Sequence, residues 1–317
     1  MHKRLTTPIS FALALILTGC AAAEPNQPAP EPEPPAGYLF SYFVDNGQDG
    51  LHLHFSHDGL NWRPLNHGQS FLAPEVGSKL MRDPSIVRAP DGLFHMVWTT
   101  GWWDNGIGHA SSHDLIHWSQ QQFIPVMANE PNAKNSWAPE LFYDDTRNEF
   151  LIFWATTIPG RFPKTEGEGD NNHRIYCTTT KDFQTFSPTR LFYDPGFNVI
   201  DSFIAKTDQG YVMFLKHEHP QQKNIRTATA DDPQGPWSQA SDPITGQYWA
   251  EGPAALKIEN RWLVYFDKYT EHQYGAVMSE DLKNWTDISR KVHFPPSTRH
   301  GTAFPVDSDT LKRLQTP

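Results

Sequence analysis

The stretch that decides the fold runs from residue 93 to residue 118. It reads Leu93-Phe-His-Met-Val-Trp-Thr-Thr100, a Gly/Asn loop, Gly108-His-Ala-Ser-Ser112, then Asp114-Leu-Ile-His-Trp118. The first two pieces are strand-like runs, and the third is a turn opened by Asp and closed by an aromatic. The same order returns in Phe150-Leu-Ile-Phe-Trp154, Tyr176-Cys-Thr-Thr-Thr180 and Asp182 to Phe186. It returns again in Tyr211-Val-Met-Phe-Leu215, Arg226-Thr-Ala-Thr-Ala230 and Asp232 to Trp237, and in Trp262-Leu-Val-Tyr-Phe266, Gly275-Ala-Val-Met-Ser279 and Asp281 to Trp285. Upstream, Tyr38 to Phe43, Leu51 to Ser56 and Asp58 to Trp62 make a further copy. The closing aromatics stand at 62, 118, 186, 237 and 285, so the spacings are 56, 68, 51 and 48 residues.

A unit of that length holds about four short strands, the size of a propeller blade. Every unit but the first is preceded by an apolar stretch, beginning near Asp83, Ser136, Val199 and Trp249. The piece missing from the first unit has its counterpart at the far end of the chain, in His300 to Val306. The reading is an all-β, five-bladed β-propeller over residues 37–317, closed by a C-terminal strand that completes the N-terminal blade. The Asp-x-x-x-aromatic signature is read as a turn and an interblade wedge, with no chemistry of its own.

The remaining composition narrows the classes. The chain has 317 residues, 13% aromatic and 20% charged, with a net charge of −10, so neither disorder nor a nucleic-acid partner fits. Two Cys exclude a disulfide framework. Residues 1–19 join Lys3 and Arg4 to an apolar run ending Leu-Thr-Gly before Cys20, which resembles a bacterial lipoprotein signal. Cys20 is then the lipidated first residue of an exported chain at the cell envelope, with outer-membrane sorting expected from Ala21, and Cys177 is left alone. Residues 20–36 form a Pro/Glu-rich tether which, at about 3.1 Å per residue, would hold the domain roughly 50 Å from a membrane. That lipid is the only membrane link expected, and the domain is expected to be monomeric.

First strands line a propeller axis, so residues opening them converge at one end of it. Here the openings are Arg82-Asp83-Pro, Trp137-Ala-Pro-Glu140, Ile200-Asp201-Ser, Glu251-Gly-Pro and Arg299-His300-Gly. Four carboxylates gathered around one axis repel each other and lose solvation, which structure alone does not favour.

In order and spacing, the Asp-Pro, Trp-Ala-Pro-Glu, Ile-Asp-Ser and Glu-Gly-Pro motifs resemble glycoside hydrolase family 43 over residues 37–306. The resemblance implies an inverting glycosidase acting on arabinose- or xylose-containing glycans. By motif, Asp83 is then the general base, Glu251 the general acid, and Asp201 the residue that orients the acid and raises its pKa. The substrate is a poly- or oligosaccharide of plant or algal type, with removal of terminal α-L-arabinofuranosyl or β-D-xylosyl residues preferred. The loops expected at the sugar are Thr99–Gly108 with Trp102 and Trp103, Thr156–His173, His217–Asn224 and Lys268–Gln273. Trp137, Glu140, His217, Arg299 and His300 are further candidates for binding substrate, and the insertion from Ile158 to His173 is expected to wall one side of the pocket.

No cofactor is required on this reading. The motif around His300 departs from the form associated with a calcium or sodium ion at the axis, so no metal ligands are assigned. Two alternatives stay open: a related five-bladed hydrolase of galactan- or fructan-like glycans, and a surface protein that binds polysaccharide without cleaving it.

Overall fold

The computed structural model describes residues 35–167, 171–221 and 223–315. The signal-like segment, Cys20 and nearly all of the tether lie outside them. In chain order the strands are β1 Gly37–Tyr42, β2 His52–Ser56, β3 Arg63–Pro64, β4 Arg82–Arg88, β5 Phe94–Thr99, β6 Ile107–Ser112 and β7 Gln122–Ile124. Then come β8 Trp137–Asp144, β9 Glu149–Thr157, β10 His173–Thr180, β11 Arg190–Tyr193, β12 Val199–Thr207, β13 Gly210–His217 and β14 Asn224–Ala230. The last are β15 Glu251–Ile258, β16 Arg261–Lys268, β17 Gln273–Ser279, β18 Thr286–Asp287 and β19 Ala303–Val306, followed by helix α1 Ser308–Gln315.

These strands make five antiparallel sheets, the blades of a five-bladed β-propeller. The first has the order β19-β1-β2-β3, with Gly37 opposite Val306 and Phe40 opposite Ala303. The fourth has three strands rather than four. Its outer edge is an irregular segment bonded to β14 through the amides of Ser238, Ser241 and Ile244, and Pro233, Pro236 and Pro243 there cannot donate to a ladder.

The core is five interblade layers rather than one centre. Leu53 and Phe55 pack with Met96 and Trp98 between the first and second blades. Val97 and Ile107 pack with Ile152 and Trp154 between the second and third, and Phe153 with Met213 between the third and fourth. Phe214 packs with Val264 between the fourth and fifth, and Phe40 with Tyr265 between the fifth and first. Each closing aromatic joins the layer shared with the preceding blade: Trp62, Trp118, Phe186, Trp237 and Trp285 in turn. The Asp of each signature makes a tight turn. Asp58, Asp114, Asp182 and Asp281 each accept backbone N–H bonds from the residues two and three further on. Those bonds stabilise the ionised form, and Asp182 is lowered to about 2 by the amides of Thr185 and Gln184.

Candidate active site

Four of the five blades open with the same local irregularity. Ladder register breaks between Arg82 and Ser85, Trp137 and Glu140, Ile200 and Phe203, and Glu251 and Ala254. Within each break one residue has a left-handed backbone: Asp83 (φ 53°), Ala138 (φ 45°), Asp201 (φ 50°) and Gly252 (φ 59°). A bulge re-aims the side chains around it, and three non-glycine residues held in this region mark a place where packing overrides local preference. At Gly252 a side chain is excluded outright, because a Cβ would lie 2.4 Å from the His300 ring.

The bulges also show that the acids opening the first strands do not all occupy the same position. Asp83 and Asp201 are equivalent. Glu251 stands one residue before its bulge residue, and Glu140 two residues after. That offset sends Glu140 below the others: it is 3% exposed, accepts hydrogen bonds from Ser85 (2.6 Å) and Thr302 (3.3 Å), and does not line the cavity. Burial dominates its environment and pushes it up to about 8 despite those bonds and the charge of His300.

The cavity at the bulged end of the axis has a volume of about 300 Å³ and includes Asp83, Asp201, Glu251, Arg299, His300, Trp102 and Trp137 in its lining. A larger concavity of about 1040 Å³ lies beside β2, β3 and α1. It gathers no set of carboxylates, so the smaller cavity is the candidate site.

His300 organises the two equivalent aspartates. Its Nδ1 lies 3.3 Å from Asp83 Oδ1 and 4.0 Å from Asp201 Oδ1. Burial alone would discharge the ring, but Asp201 and Asp83 outweigh it and raise His300 to about 9. For Asp83, burial is likewise overcome by the hydrogen bond and charge of His300, then by Arg82 and Thr99, and its pKa falls to about 2. Thr99 donates to Asp83 Oδ2 at 2.8 Å. Asp201 goes the other way: burial and the charges of Glu251 and Asp83 prevail over His300 and Lys216, raising it to about 6. Its Oδ2 accepts the amide of Gly252 at 3.1 Å.

Glu251 differs from the expectation that a neighbouring carboxylate keeps it protonated. Burial does favour the neutral acid, yet Lys216, 2.9 Å from Oε2, and Arg299, 3.3 Å from Oε1, hold it below its ordinary value. Lys216 stands opposite Ile200 at the end of β13, and the matching residues of the second and fifth blades are Thr99 and Asp267. All three serve the site, since Asp267 accepts from Arg299 Nε at 2.7 Å. A lysine ending the apolar run Tyr211 to Leu215 is the signal that could have found Lys216.

The other candidates divide. Trp102 lines the cavity, and its carbonyl accepts from Trp137 Nε1 at 2.8 Å. Trp103 is 67% exposed and does not line it. His217 is buried against Phe197, also away from the lining. The expected wall from residues 158–173 supplies no lining residue among those described. Instead it is held to the third blade by buried Arg174, which bonds Thr165, Asn172 and Asp194 and lies over the Phe162 ring. Glu218 and Lys223 from the expected loop 217–224 and Tyr269 from the expected loop 268–273 line the cavity, and so do Lys216 and Arg82, which were not named as site residues. No group of three or more His, Cys, Asp or Glu among the described residues is arranged to hold a metal ion.

A five-bladed propeller with carboxylates in an axial pocket defines a glycosidase of the family 43 type. Residues 33–311 match the family described as a probable glycosyl hydrolase domain, related to family 43, and the chain belongs to it. An α-L-arabinofuranosidase of Bifidobacterium longum subsp. longum is 25% identical over 186 residues, which is 51% of this chain and 17% of that relative. The match therefore spans less than a fifth of that protein's length. Among solved structures, α-L-arabinofuranosidase from Lactobacillus brevis superposes with a TM-score of 0.52 at 18% identity, over 65% of this chain and 72% of that one. The family 117 glycoside hydrolase Zg3597 of Zobellia galactanivorans gives 0.54 at 13% identity over 68% and 70%. An exo-β-1,3-galactanase from Clostridium thermocellum gives 0.53 at 14% over 68% and 50%. At these identities the structural likeness concerns the fold alone.

Proposed function

We propose that this protein is an inverting, exo-acting glycosidase that removes a terminal pentose, α-L-arabinofuranosyl or β-D-xylosyl, from a glycan. The observation that carries the proposal is the pairing, in one small cavity, of an ionised carboxylate, Asp83, with a second carboxyl pair, Asp201 and Glu251, that retains a proton to about pH 6. Asp83 takes a proton from the water that attacks the anomeric carbon. Glu251 takes up the proton that Asp201 holds in the free protein and delivers it to the departing glycosidic oxygen, and the bond to that oxygen breaks with inversion. Asp201 holds the proton of the pair in the free protein, and His300 fixes Asp83 and Asp201 together. The volume, near the small end of ligand pockets at roughly 300–1,000 Å³, suits one sugar ring at the chemistry. The arabinofuranosidase relative supports the pentose.

A second reading of the donor is favoured by one observation: Asp201 is the raised carboxyl and Glu251 the lowered one. Leaving-group chemistry separates the two. A 4-nitrophenyl leaving group needs no proton, so the donor's amide variant keeps activity on 4-nitrophenyl glycosides and loses it on natural linkages. Glu251→Gln behaving this way supports the first reading, and Asp201→Asn behaving this way the second. Release of arabinose or xylose from arabinans and xylans, absent in Asp83→Asn, tests the function itself. Release of only galactose or fructose from matching panels would move the protein to another glycan class.

The proposal places the mature chain at the cell envelope, attached through lipid on Cys20. Intact mass of the membrane-extracted protein tests it: loss of residues 1–19 with acyl groups on Cys20 is expected, and an unprocessed Met1 would contradict it.

A further inference from the structure

Five cationic side chains line the cavity, against four carboxylates. Lys216 pairs with Glu218 and Glu251, Lys223 with Glu218, Arg299 with Glu251 and Asp267, and His300 with Asp83 and Asp201. Arg82 has no carboxylate within ion-pair distance among the described residues. It is nonetheless held in place. Its guanidinium lies 4.6 Å from the Phe43 ring centroid and 4.3 Å from that of Trp102, and Nη1 donates to Asn46 Oδ1 at 2.9 Å. Asn46 Oδ1 also accepts from Trp102 Nε1 at 3.1 Å, tying the clamp together.

A guanidinium has five N–H donors in a planar fork matched to a two-oxygen anion, and two aromatic faces satisfy its charge without occupying those donors. A guanidinium held in place at the rim of a sugar pocket, in no ion pair of its own among the described residues, offers its remaining N–H donors to an anion that arrives with the ligand. We infer that Arg82 makes the protein selective for glycans bearing an oxyanion, a uronate carboxylate or a sulfate ester, on or next to the sugar that enters the cavity. The inference rests on the glycosidase reading and names its substrate class. Asp83 is adjacent in sequence, so the anion binds beside the base without replacing it, and Arg82 is a specificity residue.

The test is calorimetric titration of the wild type, Arg82→Lys and Arg82→Gln with two matched pairs of oligosaccharides. One pair is glucuronoxylan oligosaccharides and their carboxyl-reduced counterparts, and the other is sulfated galactan oligosaccharides and their desulfated counterparts. Wild type should bind the charged member of one pair roughly tenfold or more tightly than the neutral member, as a charge-assisted hydrogen bond allows, and the pair showing the preference identifies the anion. Arg82→Gln should lose that preference by weakening the charged member much more than the neutral one, Arg82→Lys should keep part of it, and added salt should shrink it. Equal binding of charged and neutral members, no binding of any charged member, or equal losses for both in Arg82→Gln overturns the inference. A thermal melt of each variant separates loss of fold from loss of selectivity. Sugar release by wild type from the neutral members is scored separately, so the glycosidase reading stands or falls on its own.

Discussion

Lys216 Nζ lies 2.9 Å from Glu251 Oε2, reaching from the end of β13 in the fourth blade to the first residue of β15 in the fifth. The acid opening one blade is thus held ionised by the second strand of its neighbour. The same lysine also opposes the rise of Asp201.

The contact sets the pH dependence. Asp83 must be ionised, which holds above about 2, and the Asp201–Glu251 pair must keep a proton, which it loses as pH rises through about 6. kcat/KM is therefore expected to fall above pH 6. In Lys216→Met both acids bind their proton more tightly, and the falling limb should move up by roughly a unit or more. A limb that stays put or moves down would remove Lys216 from the proton balance.

Glu140 is predicted to be structural. Its folded pKa of about 8 stands above the ordinary 4.5, so between those values the folded state holds a proton that the unfolded state releases, and stability falls as pH rises. Glu140→Gln keeps the shape and removes the titration. Melting temperature should match wild type near pH 5 and exceed it at pH 8, with kcat reduced less than threefold. A loss of a hundredfold or more, the scale of a missing acid or base at roughly 10²–10⁴, would show that Glu140 takes part in the chemistry.

The two neighbouring tryptophans should behave differently. Trp102 lines the cavity and covers Arg82, whereas Trp103 lies outside it. Trp102→Ala is expected to raise KM about tenfold with a smaller effect on kcat, and Trp103→Ala to change either less than twofold. Steady-state kinetics on one oligosaccharide decides, and equal effects would contradict the assignment.

Arg174 is 2% exposed and joins the 158–173 insertion to Asp194. Arg174→Met leaves Asp194, Thr165 and Asn172 without that partner and should cost about 3–5 kcal/mol in urea unfolding. Proteolysis within residues 161–167 should accelerate. An unchanged midpoint would mean the insertion is held by other contacts.

Much of this was legible because propeller blades repeat. Each copy carries a turn Asp and, four residues on (five in the fourth copy), a closing aromatic, so local pattern and global fold agree. The acids at the first-strand openings were legible for the same reason. The offset of Glu140 was not, because a bulge shifts pairing without changing the residue pattern, and Trp-Ala-Pro-Glu reads the same whether its Glu faces the cavity or the axis below. Lys216 was hidden by context: its role depends on Glu251, 35 residues away and in another blade. The described part of the 158–173 insertion supplies no lining residue, because buried Arg174 holds Phe162, Thr165 and Asn172 against their own blade.

The central claim is inverting hydrolysis with Asp83 as base. The most direct measurement is proton NMR of the first anomer released from an oligosaccharide that the protein cleaves, for wild type and Asp83→Asn side by side. The account predicts that wild type first releases the sugar with its anomeric configuration inverted, and that Asp83→Asn is slower by at least about a hundredfold. A retained anomer, or an Asp83→Asn variant with undiminished turnover, would contradict it.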